Sequence, residues 1–160
     1  MTIVFQDTFT DVDGTLLQNH TPEVGAGWTT FVGSSSLQIR TNQAYSSGGS
    51  ANQTITQVTN GKLTVTEYFD SGSISIFFRI QDVNNYYDWL PYGPGWVRKY
   101  VAGVATTIAT LILPPLDLAT LKVIMQGSII QLYANDVRLY TIQNAVFLSG
   151  SCGIGIGGGL

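Results

Sequence analysis

Cleaving a glycosidic bond takes two carboxylates held about 5–9 Å apart across it. This 160-residue chain has two glutamates, Glu23 and Glu67, the second within "EYFD" at 67–70. Nucleophilic or metal-assisted hydrolysis would have to run through His20, the sole histidine, in the stretch "NHTPEVG"; a histidine in such a loop is expected to bond the loop backbone. Asp11 and Asp13 in "DVDG" start like a calcium loop, but the position where that loop needs its bidentate glutamate is Pro22, which excludes an EF-hand. Asp82, Asn84 and Asn85 are further oxygen donors close together in the sequence. The reading therefore names no catalytic residue, no metal site and no cofactor, and it expects a protein that is not an enzyme.

Binding chemistry is better represented. "YYDWLPYGPGWVRKY", residues 86–100, holds Tyr86, Tyr87, Trp89, Tyr92, Trp96 and Tyr100 around a Pro- and Gly-containing turn. Period-two alternation puts Tyr87 and Trp89 on one face of the incoming strand, opposite Tyr86, Asp88 and Leu90, and groups Trp96, Arg98 and Tyr100 on the return. Cross-strand aromatic pairs stabilise sheets by roughly 0.2–1 kcal/mol each, so much of this cluster has a structural use. Tyr92 falls at the turn, where the spacing predicts few neighbours and a ring displayed for contact. The candidate contact residues are Tyr86, Trp89, Tyr92, Trp96, Arg98 and Tyr100, for a partner protein or a glycan.

The elements that must position these groups are strands. Apolar and β-branched segments alternate between Gly, Asn, Asp and Ser turns, and helical periodicity is nearly absent. Strands are predicted at "TIVFQDTF" (2–9), "LQIR" (37–40), "KLTVTEYF" (62–69), "SISIFFRI" (73–80) and "YYDWL" (86–90), and then in "GWVRKYVA", "VATTIATLIL", "LKVIMQG", "SIIQLYA", "VRLYTIQ" and "CGIGIG". In "SISIFFRI", Ile74, Ile76, Phe78 and Ile80 are expected to face the core, with Ser73, Ser75, Phe77 and Arg79 opposite. Asn135-Asp136 tolerates the positive φ of a two-residue turn, predicting a hairpin over 129–142. "SSGGSANQ" at 46–53 reads as a loop, and the Gly-rich tail as a strand close under a neighbouring element. About ten short strands with no room for crossover helices give an all-β, two-sheet antiparallel β-sandwich of jelly-roll type, one domain over residues 1–160.

Composition narrows the partners. Charged residues are only 11% of the chain, against roughly 25% in typical soluble domains, and seven Lys and Arg against ten Asp and Glu give a net charge of −3. With Arg98-Lys99 the only adjacent basic pair, no patch exists for phosphate backbones, and nucleic acid is excluded as a partner. The single Cys152 cannot form an intrachain disulfide and is expected to be a small buried apolar residue. "VAGVATTIATLILPPL" at 101–116 is too short and too interrupted to span a bilayer, so no membrane insertion is expected. The N-terminus lacks the basic start and apolar run of a secretory signal peptide.

Four phrases carry a resemblance: "DTFTDVDGTLLQNHTPEVGAGW" at 7–28, "NNYYDWL" at 84–90, "LKVIMQGSIIQLYANDV" at 121–137, and the closing "GIGIGGG". Together they resemble concanavalin A-like, laminin-G-like β-sandwich modules of bacteriophage structural proteins and bacterial surface proteins. The resemblance implies the sandwich fold and a role in binding or assembly. Glucanases on this broad fold carry a Glu-x-Asp-x-x-Glu strand, which "EYFD" does not match. The leading expectation is a virion structural protein, a complete small product serving as a capsid decoration (cement) or fibre module. It would sit on the particle surface, contact capsid or other virion proteins, and form a homo-oligomer, with a trimer as one arrangement. The alternative is a lectin-like adhesin module that binds cell-surface carbohydrate.

Overall fold

A computed structural model of the chain describes residues 5–32, 37–46, 50–54, 57–68, 74–93, 95–111, 113, 118–143 and 145–156. Thirteen strands form among them: β1 (Trp28–Val32), β2 (Gln38–Arg40), β3 (Gln43–Tyr45), β4 (Ser50–Thr54), β5 (Gly61–Tyr68), β6 (Ile74–Asp82), β7 (Asn85–Trp89), β8 (Trp96–Val101), β9 (Val104–Thr110), β10 (Leu118–Gln126), β11 (Ile129–Ala134), β12 (Val137–Ile142) and β13 (Ser151–Ile156). A 3-10 turn at Leu17–Asn19 precedes them. A seven-stranded sheet runs β1-β4-β13-β6-β7-β8-β9 and a four-stranded sheet runs β12-β11-β10-β5, every pairing antiparallel; β2 and β3 form a separate ribbon. The two main sheets stack as the jelly-roll sandwich expected of an all-β chain.

Alternation along the strands fills the space between the sheets. Ile76, Phe78, Tyr87, Trp89 and Val97 from the large sheet meet Leu121, Val123, Met125, Ile130 and Leu132 from the small one, all buried. Cys152 is buried in this cluster too, where burial pushes its thiol up to about 12. A second cluster, Leu17, Trp28, Leu37, Ile39 and Ile154, docks the N-terminal segment and the β2–β3 ribbon. The 129–142 hairpin forms as expected, with Asn135 and Asp136 both at positive φ, 46° and 66°. Residues 104–110 of the uncharged stretch at 101–116 are strand β9, and no helix of the described residues is long and apolar enough to cross a membrane.

Three expectations change. Residues 5–9 form no strand, only a bridge from Gln6 to Val24, because Asp7 Oδ1 accepts the Phe9 amide at 2.6 Å and Phe9 turns to φ 56°; residues 2–4 of that predicted strand lie outside the described residues. Part of the "SSGGSANQ" loop is strand β4, paired on both sides by β1 and β13. Placement between two strands overrides its weak intrinsic β preference.

The third change concerns "SISIFFRI". Ile74, Ile76 and Phe78 face the core, but Arg79 sits in a bulge at φ 55° that shifts the register, so Arg79 turns inward and Ile80 joins Phe77 on the opposite face. Arg79 is fully buried; its guanidinium donates to the carbonyl of Gly127 at 3.0 Å and reaches that of Val58 at 3.5 Å. Burial lowers its pKa, since desolvation opposes the charge. The bulge packs on Gly150 at φ 143°, where an added Cβ would lie 2.5 Å from the Arg79 carbonyl carbon and 2.7 Å from the Ile80 amide nitrogen. Gly150→Ala is therefore expected to cost roughly 3 kcal/mol, measurable by urea denaturation; an unchanged midpoint would show that the bulge yields.

Candidate functional site

The outer face of the seven-stranded sheet, away from the small sheet, is built from residues that alternate with the core. On β7 these are Tyr86 and Asp88, on β8 Trp96, Arg98 and Tyr100, on β6 Phe77 and Ile80, and on β1 Phe31. Register brings them together: Tyr86 stands opposite Tyr100 and Asp88 opposite Arg98. In a flat sheet, β1 and β7 would lie four interstrand steps apart, about 19 Å. The Phe31 ring nevertheless lies 5.2 Å from that of Tyr86 and 5.3 Å from that of Phe77. The sheet therefore curls toward this face into a shallow trough whose floor is closed by Phe31, Phe77, Ile80 and Tyr86, buried against one another.

Arg98 is the centre of one wall. Its Nε and Nη2 donate to the two carboxylate oxygens of Asp88 at 3.1 and 2.5 Å, a bidentate pair that fixes the guanidinium plane. That plane lies 5.3 Å from the ring centroids of both Trp96 and Tyr100, and Tyr100 stacks on Tyr86 at 4.3 Å. Asp88 is 1% exposed, so burial raises its pKa while the Arg98 hydrogen bond and charge pull it back. Arg98 is held above the ordinary arginine value: burial opposes its charge, but Asp88 outweighs burial. Burial also drives the Tyr86 hydroxyl far up, keeping it a neutral hydrogen-bonding group. The result is a rigid wall whose outermost ring, Trp96, is 39% exposed.

Of the sequence-derived contact residues, Tyr86, Trp96, Arg98 and Tyr100 come together on this face. Trp89 does not: alternation sends its side chain inward, where it is completely buried between the sheets. Tyr92 is also withdrawn. Its ring packs on the inter-sheet core and its hydroxyl is buried, because the turn folds back, with the Gly95 amide bonded to the Tyr92 carbonyl and the Leu111 amide to the Gly95 carbonyl. Alternation in the sequence had set Asp88 on the Tyr86 face without naming it as a site residue, and Phe31 was not named at all. The signal for Asp88 was present, since it and Arg98 are opposite charges on the two arms of one hairpin; Phe31 had none, as its contacts require the curl of the sheet.

The other candidates hold loops. His20, expected to bond backbone, instead places Nδ1 3.0 Å from Asp11 Oδ2 and Nε2 3.0 Å from Asp7 Oδ1, while Trp28 Nε1 donates to Asp7 Oδ2. Asp13 accepts the Thr41 amide, and Glu23 binds the Thr8 amide and hydroxyl. Asp82 caps the β6–β7 turn through Asn84 and Asn85, and Asn85 in turn accepts the Ala102 amide. No group of three or more metal-ligating side chains occurs among the described residues.

Both His20 nitrogens can donate to these carboxylates only when the ring is protonated. Burial lowers the His20 pKa, yet Asp11 and Asp7 together raise it above 6.5. A raised folded-state pKa stabilises fully below the unfolded value and is lost as pH rises through the folded one. The melting temperature should therefore fall as pH climbs above about 6.5, and His20→Gln should flatten that slope; equal slopes in both proteins would remove His20 as the cause.

No protein-family model matches the chain, and no curated protein matches it in sequence. Solved structures do. The carbohydrate-binding module CBM66 from Bacillus subtilis superposes with a TM-score of 0.64 at 22% identity, covering 81% of this chain and 87% of that one. A β-glucanase from Bacillus licheniformis matches with a TM-score of 0.54 at 14% identity, over 94% and 87%. A putative glycosyl hydrolase from Parabacteroides distasonis matches at 0.52 and 10% identity, over 82% of each chain. The fold is a concanavalin A-like jelly roll.

Proposed function

We propose that this protein binds carbohydrate against the Trp96–Arg98–Tyr100 wall on the outer face of its seven-stranded sheet and does not cleave it. The observation that carries this reading is the wall of Trp96, Arg98 and Tyr100, locked by the Asp88 ion pair and by stacking on Tyr86. A pre-set aromatic face costs little entropy on binding and suits the apolar face of a sugar ring, while the neighbouring guanidinium offers its remaining N–H groups to hydroxyls. Likeness to a carbohydrate-binding module supports glycan binding better than it supports the virion reading, for which no comparison speaks.

Absence of catalysis is supported by the carboxylates. β7 and β8 bring one to this face, Asp88, and it is buried and paired with Arg98; glycoside hydrolysis needs two flanking the bond. Glu23 is held by Thr8, and Glu67 belongs to β5 of the opposite sheet.

A glycan array followed by calorimetry on the best hit tests the proposal. Saturable binding is expected, weakened at least tenfold in Trp96→Ala while its melting temperature stays within a few degrees, with no reducing ends released from the bound polysaccharide. Absence of binding to every glycan class, or release of reducing ends, would reject it.

A further inference from the structure

A sheet edge presents unpaired N–H and C=O groups, and proteins ordinarily protect such edges with charge, proline or a covering segment. The two main sheets have four edges. β1 is covered: the Leu17–Asn19 turn lies along it and Thr30 Oγ1 donates to Gln18 Oε1. β12 carries Arg138, and β5 carries Lys62 and Glu67. β9, "VATTIAT", has no charge and, among the described residues, no cover: it is hydrogen-bonded to β8 alone of the described strands, its residues 104–107 are exposed, and Val104 is 68% exposed. The adjoining turn adds Val101, also exposed, and no charge.

We infer that β9 pairs antiparallel with β9 of a second copy of this chain. Across a twofold axis the residue on the axis meets its own counterpart and the residues before it meet those after it, so a charged side chain close to the axis lies beside its like-charged copy. Among the edge strands of the two main sheets, β9 escapes this penalty in every register, being built of Val, Ala, Thr and Ile alone, types that favour strand pairing. An edge of the β12 kind would bring Arg138 toward Arg138. Strand addition of this sort draws its affinity from main-chain hydrogen bonds, with every second residue of β9 turned outward to supply them.

The consequence is geometric. With the axis perpendicular to the sheet, the two seven-stranded sheets join edge to edge and their outer faces continue into one another. The two β8 strands, each bearing Trp96, Arg98 and Tyr100, would then be three interstrand steps apart, about 14 Å. The dimer would present two copies of the trough wall on one surface, suited to an extended chain with repeating units.

Sedimentation velocity over a wide concentration range tests this on the whole chain, beside the double variant Val104→Lys/Thr106→Lys, which sets like charges against each other across the axis and leaves the trough untouched. The wild type is expected to shift reversibly from monomer to dimer, and the variant to need at least tenfold more protein for the same shift, with an unchanged circular dichroism spectrum. Hydrogen exchange of the wild type should show amides of β9 slowing as concentration rises, while those of β1 and β12 do not change. A wild type that stays monomeric, or a dimer whose concentration-dependent protection falls outside β9, would overturn the inference.

Discussion

Trp89→Ala is expected to lower the free energy of unfolding by about 3–5 kcal/mol, a fall in Tm of roughly 10 °C or more. Trp89 is completely buried at the centre of the inter-sheet core, in one cluster with Tyr87, Val97 and the small sheet's Leu121 and Met125. Truncation removes the largest side chain of that cluster and leaves a cavity that strands pinned on both sides cannot close. β7 is held by β6 and β8 and has little freedom to shift inward. Chemical denaturation of the variant checks this. A loss below about 1 kcal/mol would mean that the sheets repack, and the inward placement of Trp89 would need revision. Trp96→Ala, on the neighbouring strand but on the other face, is expected to leave stability nearly intact.

The second large effect falls on the ion pair. Asp88→Ala should cost about 3 kcal/mol and abolish glycan binding, because it strands the Arg98 guanidinium in a partly buried site with no carboxylate to hold its plane. The same argument separates stability from function. Replacing both partners, as in Asp88→Leu/Arg98→Met, removes the uncompensated charge and should recover most of the lost stability. It cannot recover binding, since neither the fixed guanidinium nor its hydrogen-bond donors remain. Equilibrium unfolding and calorimetry on the three proteins read the two quantities independently. If the single variant unfolds at the wild-type midpoint, the pair is more solvated than its geometry indicates; if the double variant still binds glycan, Arg98 is not part of the contact.

Local chemistry decides a good deal of this protein. The Asn135-Asp136 turn, the strands of the second half and the opposite faces of Tyr86 and Tyr87 follow from positive-φ tolerance and from a side-chain period of two, both of which act over a few residues. For the same reason the grouping of Trp96, Arg98 and Tyr100 on one face was legible. Where one residue too many enters a strand, the period fails: the bulge at Arg79 exists because Gly150, far along the chain, lets the backbones approach, and it reverses the sides taken by Arg79 and Ile80.

Tertiary structure decided the rest. Trp89 and Tyr92 are as aromatic as Trp96, and composition cannot distinguish a ring for the core from a ring for a ligand; only the second sheet, by covering one face and not the other, does so. The "SSGGSANQ" segment became a strand because two neighbours offered it hydrogen bonds. Phe31 reached Tyr86 because the sheet curls, and His20 found two carboxylates because the N-terminal segment folds back over Trp28. The amino-acid sequence by itself determined most of the strands from β5 onward, their alternation away from the Arg79 bulge, and the absence of a cysteine or histidine cluster, since these depend on neighbours in the chain. Which rings were buried, and where β4 formed, depended on neighbours in space.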